Sequence, residues 1–128
     1  MRVILAEKPS VAQSIAAVLG ADQKKSGYLQ GENDIVSWCI GHLIELAPPE
    51  IYDARYAKWR REDLPIVPSA WESVVSDGTK KQFAVLKDLL NRTDVDEVVC
   101  ATDAGREGEL IFRMVYEKTG CTKPVKRL

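Results

Sequence analysis

In two places this sequence sets charged residues just beyond a short apolar run. Val3-Ile4-Leu5-Ala6 leads into Glu7-Lys8, and Val98-Val99-Cys100-Ala101 leads through Thr102 into Asp103-Ala104-Gly105-Arg106-Glu107. Core packing gives no reason for a carboxylate at the end of a buried strand. If the two strands are neighbours, Glu7 and Asp103 meet at one edge of the sheet. Glu107, four residues beyond Asp103, then returns to the same cleft after about one helical turn. Clustered carboxylates repel one another unless a cation or a shared proton offsets their charge. Oxygen-only ligands of this kind suit Mg²⁺, which keeps several waters and takes one or two carboxylates plus a substrate phosphate. The expected metal ligands are therefore Glu7, Asp103 and Glu107.

The reaction class implied is phosphoryl transfer on a polyanion. Glu7 would move a proton, and Lys8 would neutralise charge on an attacking or leaving phosphate oxygen. Free N–H groups at a helix start near Arg106 would meet phosphate oxygens. Gly105 and Gly108 allow a sharp turn close to a substrate backbone. Plainer readings stand beside these. Asp103 also fits a helix N-cap, and Glu109 fits an acid that serves only the helix dipole. His42, the only histidine, reads as a hydrogen-bonded structural residue.

The elements that must position these groups follow from the pattern. Arg2–Ala6 and Glu97–Thr102 read as fully buried strands. A helix is expected from about Ser10 to Leu19, with a Ser10/Gln13 capping box, an apolar face of Val11, Ile15, Val18 and Leu19, and a stop at Gly20. Tyr28–Gln30 and Ile35–Ile40 flank the turn-rich Gly31-Glu32-Asn33-Asp34 and predict a hairpin. The stretch from about 41 to 78 is irregular and proline-rich, and is read as an ordered excursion over the surface. Thr79 and Gln82 have capping-box spacing ahead of a helix whose stripe is Phe83, Leu86, Leu89 and Leu90. A last helix runs from about Arg106 to Thr119, with Glu107 and Glu109 at its start, Lys118 near its end and Gly120 as its stop. Val125–Leu128 begins another strand. Right-handed crossovers would make the buried strands and this last one parallel in one α/β sheet. Ligands then bind beyond the carboxyl ends of the strands.

At 128 residues the chain has the size of one domain, with 45% hydrophobic and 29% charged residues. No run approaches the length of a membrane span. The apolar stretch after Met1-Arg2 is too short for a secretory signal, so an intracellular, membrane-free protein is expected. Cys39, Cys100 and Cys121 lack a C-x-x-C spacing and read as free thiols. A net charge of −1 leaves DNA binding to local basic patches. Lys123-Pro124-Val125-Lys126-Arg127-Leu128 stops without a polar tail, which reads as a fragment of a longer protein.

Ala6-Glu7-Lys8-Pro9-Ser10 and Thr102-Asp103-Ala104-Gly105-Arg106-Glu107-Gly108-Glu109 resemble the two signatures of the Toprim domain. Three further stretches are similar to bacterial type IA DNA topoisomerases of the topoisomerase III family. They are Trp38-Cys39-Ile40-Gly41-His42-Leu43, Tyr52 to Trp59, and Asp63-Leu64-Pro65-Ile66-Val67-Pro68. The resemblance spans nearly the whole chain. It implies a Toprim (Rossmann-like) α/β fold over 1–128, with a mainly parallel sheet, helices on both faces and an insertion at about 41–78. It also implies that Glu7 is a general acid/base touching the metal, that Asp103 and Glu107 belong to the Mg²⁺ site, and that the enzyme is cytoplasmic and nucleoid-associated. Its substrate would be single-stranded DNA, cut through a 5′-phosphotyrosine whose tyrosine lies in a later domain. None of Tyr28, Tyr52, Tyr56 or Tyr116 takes that role, and the fragment alone is expected to be inactive. The family's second aspartate would fall on Gly105, which departs from the pattern and bears on the number of metal ions.

Tyr52, Arg55, Tyr56, Lys58, Trp59, Arg60 and Arg61 interleave aromatic and basic residues, a composition suited to single-stranded nucleic acid or to an ordinary solvated loop. Arg60, Arg61 and Arg106 are the expected DNA contacts. Two rival functions stay open: a Toprim nuclease or primase, and a non-catalytic Toprim-like nucleic-acid-binding module, for which Gly105 is the best argument.

Overall fold

A computed structural model describes all residues from Met1 to Leu128. In chain order the elements are β1 (Arg2–Ala6), α1 (Pro9–Leu19), β2 (Gln23–Lys25), β3 (Tyr28–Gln30), β4 (Asp34–Trp38), β5 (Ile44–Leu46), α2 (Pro49–Tyr52), β6 (Ser73–Val75), α3 (Lys80–Leu90), β7 (Glu97–Ala101), α4 (Arg106–Thr119) and β8 (Val125–Arg127). Six strands form one sheet in the order β2-β3-β4-β1-β7-β8, with β5 and β6 in a separate antiparallel pair. Strands β1, β7 and β8 are parallel, as expected, β4 joins them parallel to β1, and the β3–β4 hairpin is antiparallel.

The period-two alternation of β1 divides the core. Val3 and Leu5 enter a cluster under α3 and α4, with Leu86, Leu90, Val98, Phe112 and Val115. Ile4 and Ala6 face the other way, into a smaller cluster under α1 with Ala12, Ala16, Val36 and Ala101. Helices therefore cover both faces, and a sheet buried on both sides accounts for the continuous apolar runs of β1 and β7. Arg2 and buried Asp34 tie the start of β1 to β4 through bonds of 2.7 and 3.0 Å. The register pairs Ala6 with both Trp38 and Ala101, so β4, β1 and β7 end level with one another. No helix is long and apolar enough to cross a membrane.

Several local expectations need correction. The fully buried residues of α1 are Ala12 and Ala16, with the expected Val11 and Ile15 packed half-buried beside them, whereas Val18 is 87% exposed and Leu19 39%. Small side chains let the helix sit close on the sheet, and this proximity outweighs the larger apolar residues beside them. Neither capping box forms. Pro9 opens α1, its N-cap is Lys8, and Ser10 lies inside the helix. Thr79 does sit at the N-cap of α3, but its hydroxyl donates to the carbonyls of Ser76 and Leu43. Gln82 is buried and donates to the carbonyls of Gly27 and Trp38 and to the Ser37 hydroxyl. A buried amide needs such partners more than a helix end in water needs a cap. β2 is an edge strand that periodicity did not predict. The 41–78 excursion is anchored at its ends by buried Leu43 and Ile44 and by the pairing of Ile44 with Val75.

Candidate metal and phosphate site

The site lies where three parallel strands end side by side. Glu7 follows β1, Asp103 follows β7 after Thr102, and His42 lies beyond the end of β4. The main-chain N–H of Asp103 donates to Glu7 Oε2 at 3.3 Å. The acids ending the two neighbouring strands thus share one cleft. The carboxylate of Asp103 itself takes no hydrogen bond or ion pair and faces solvent. Glu107, in the first turn of α4, is also exposed, and its Oε1 lies 3.0 Å from His42 Nε2. No three His, Cys, Asp or Glu side chains converge into a ready-made metal cage.

The loop carrying Asp103 is tight. Gly105 N–H donates back to the Asp103 carbonyl at 2.8 Å, and Glu109 N–H donates to the Gly105 carbonyl at 3.0 Å, starting α4. Gly105, at the N-cap of α4, has no side-chain cap, so the first N–H groups of a 14-residue helix open toward this mouth. Asp103 is therefore not the helix cap. Gly108 is needed for close approach, since a Cβ there would stand 2.2 Å from the Asp103 carbonyl oxygen. Gly105 differs, because its Cβ would meet nothing within 4 Å and its φ of −134° is open to any residue. The close approach that glycine permits at 108 is thus to the protein's own main chain.

Lys8 and Arg106 are exposed at the openings of α1 and α4, and neither forms an ion pair or side-chain hydrogen bond. Arg60 and Arg61 are also exposed and free of ion pairs, but they lie on the excursion and make no hydrogen bond to the acid-bearing loops. Tyr52, Tyr56 and Tyr116 have partners: the Tyr52 oxygen accepts from Glu72 N–H, that of Tyr56 from Arg55, and Tyr116 donates to the Lys123 carbonyl. Burial, and secondarily the nearby charge of Glu7, pushes the Cys39 thiol up to about 12. It is thereby kept protonated and unreactive in the fold.

The donors at the mouth are thus hard carboxylate oxygens with solvent access. Such a set fits Mg²⁺ completed by water better than it fits zinc, which prefers thiolate and imidazole. Two residues escaped sequence reasoning as site neighbours. His42 has a signal only once β4 is known to lie beside β1. Arg127, from β8, donates to the carbonyls of Thr102 and Asp103 and pairs with Glu109. It carried no signal beyond being a charge in a terminal strand.

The chain is 54% identical over 127 residues to DNA topoisomerase 3 of Shouchella clausii, a match covering 99% of this chain and 17% of that protein. It is 53% identical over 126 residues to DNA topoisomerase 3 of Bacillus licheniformis and 52% to that of Bacillus anthracis, again over 98% of this chain and 17% of each relative. The chain therefore spans about 17% of the length of the curated relatives it matches. The Toprim domain family matches residues 2–128. With all but the first residue inside that match, the chain belongs to the Toprim domain family.

Proposed function

We propose that this chain is the acid-bearing part of the cleavage and rejoining centre of a type IA DNA topoisomerase of the topoisomerase III kind. The observation that carries the reading is the contact between Glu7 and the Asp103 amide at the level ends of two parallel strands, with the Asp103 carboxylate left free. The intact enzyme would break, pass and rejoin single-stranded DNA through a 5′-phosphotyrosine. The tyrosine comes from another domain of the same protein, consistent with the small share of the relatives that this chain spans and with the partners already held by three of its own tyrosines.

In this reading Glu7 and Asp103 hold Mg²⁺, and Glu107 acts from the outer shell, held by His42. When bound, the ion supplies charge compensation for a phosphate at the mouth. Because the phosphate passes to tyrosine on its 5′ side, the leaving group is a deoxyribose 3′ oxygen. Glu7 gives that oxygen its proton on cleavage and takes it back on rejoining. Lys8 and the open start of α4, with Arg106, hold phosphate oxygens. Arg60 and Arg61 follow the strand's backbone across the 41–78 excursion, with Trp59 exposed beside them for base stacking. The corresponding compartment is the cytoplasm, at the nucleoid.

Glu7→Gln in the intact parent tests the role of the acid. It keeps the side chain's volume and its ability to accept from the Asp103 amide, so the fold and DNA binding remain while strand passage is lost. Relaxation at the wild-type rate in that variant would refute the assignment. Trapping a covalent protein–DNA adduct from the wild-type parent separates the topoisomerase from a Toprim nuclease or primase, which would yield none.

A further inference from the structure

We propose that Arg127 is a positioning residue that sets the aim of Asp103, a role resting on the reading of Asp103 as a metal ligand. Arg127 ends β8 and pairs in register with Cys100 of β7, two residues before the loop begins. Its Nη2 donates to the main-chain carbonyls of Thr102 at 2.9 Å and Asp103 at 2.6 Å. Its Nη1 donates to the Thr102 hydroxyl at 3.2 Å and to Glu109 Oε2 at 3.1 Å, and also touches Cys100 Sγ at 2.6 Å. Glu109 is held in turn by Arg113 at 2.8 Å, one turn along α4. One guanidinium thus joins the end of β7, the acid loop and the first turn of α4.

A chain leaving a parallel strand carries carbonyls that have lost their ladder partners. Two successive carbonyls and a hydroxyl need several donors fanned in one plane, which arginine has and lysine lacks. The Asp103 carbonyl is confined from three directions: Arg127 donates to it, Gly105 N–H donates to it, and the main chain at Gly108 leaves no room for a Cβ beside it. The Asp103 peptide cannot rotate while these contacts hold, so the Cα–Cβ bond that carries its carboxylate points one way before any ligand arrives. A partner that acts through a ligand in this way commonly changes metal affinity 10- to 100-fold.

The experiment compares the wild-type chain with Arg127→Gln and Arg127→Lys by ¹⁵N relaxation without metal, and by Mn²⁺-induced broadening at Asp103. Expected for Arg127→Gln are order parameters at residues 103–105 falling from about 0.85 to below about 0.6, with α4 and β7 unchanged. The Mn²⁺ concentration for half-broadening should rise about tenfold or more. Arg127→Lys should behave like Arg127→Gln, and it carries the test if the glutamine variant fails to fold. A rigid loop in Arg127→Gln, or full recovery with lysine, overturns the proposal. No Mn²⁺ response at Asp103 in the wild-type chain would instead sink the metal reading, and the relaxation data would still decide whether Arg127 holds the loop.

Discussion

The main chain of Gly108 lies against Asp103 so closely that a single added carbon on Gly108 would stand 2.2 Å from the Asp103 carbonyl oxygen and 2.9 Å from its nitrogen. The obstacle is backbone rather than the movable tip of a side chain. The first turn of α4 and the acid loop therefore form one packed unit, and either moves only with the other. Arg127 closes this unit from the side of β8.

Gly108→Ala should dislodge that unit. Alanine is favoured over glycine in a helix by about 1 kcal/mol, whereas overpacking commonly costs about 1–3 kcal/mol. The expected outcome is a net loss of up to about 2 kcal/mol in urea denaturation, with amide shifts concentrated at residues 102–105. A variant as stable as wild type with an unchanged Asp103 amide would contradict the packing argument.

Gly105→Asp should be accepted by the fold, because its Cβ points into open space from extended backbone. The expected stability change lies within about 0.5 kcal/mol. A further carboxylate on the acid loop raises the ligand charge, so Mg²⁺ should bind several-fold more tightly, on the order of tenfold at most. Isothermal calorimetry on the two chains measures both binding constants, and unchanged or weaker binding would show that position 105 does not face the ion.

Arg60→Ala with Arg61→Ala, made in the intact parent, should weaken single-stranded DNA binding without altering Mg²⁺ affinity, because neither residue contacts the acid loops. Each lost phosphate contact lowers the slope of log affinity against log salt by about 0.7 for single strands, so the double variant should lose about 1.4. Fluorescence anisotropy between low and moderate salt reads this slope. A slope equal to wild type places these arginines off the DNA path.

Cys39, fully buried at the end of β4, should resist alkylation by iodoacetamide at pH 8 in the native chain and react once urea is added, as counted by mass spectrometry. Its thiol is raised from 9.0 to about 12 in the folded state. A raised thiol contributes stability that is complete below the unfolded value and lost as pH climbs from 9.0 toward about 12. Denaturation midpoints should therefore fall above pH 9 more steeply for wild type than for Cys39→Ala. Equal slopes would show that Cys39 ionises as freely in the fold as outside it.

Much of this architecture was legible from local pattern. The runs Val3–Ala6 and Val98–Ala101 announce strands buried on both faces, and Gly120 ends the last helix as read, with φ of 71°. The carboxylates directly after those runs were visible for the same reason: a charge where an apolar run stops has no packing explanation. Sequence similarity adds the Toprim family, which the match over residues 2–128 bears out.

Tertiary structure decided what depends on distant partners. β1 lies between strands that pair Arg2 with Asp34 on one side and Glu97 on the other, and no window of local periodicity spans those separations. Only that strand order brings His42 to Glu107 and Glu7 to the Asp103 amide. The same limit explains α1, where larger Val18 and Leu19 outweigh alanines on paper, yet Ala12 and Ala16 are what the sheet admits. It explains Gln82, whose spacing to Thr79 imitates a cap while its amide serves carbonyls far along the chain. Side-chain type and spacing fix what a residue is able to do, but its partner is set by which strands and helices come to lie together, and for Arg127 that was settled only when β8 closed beside β7.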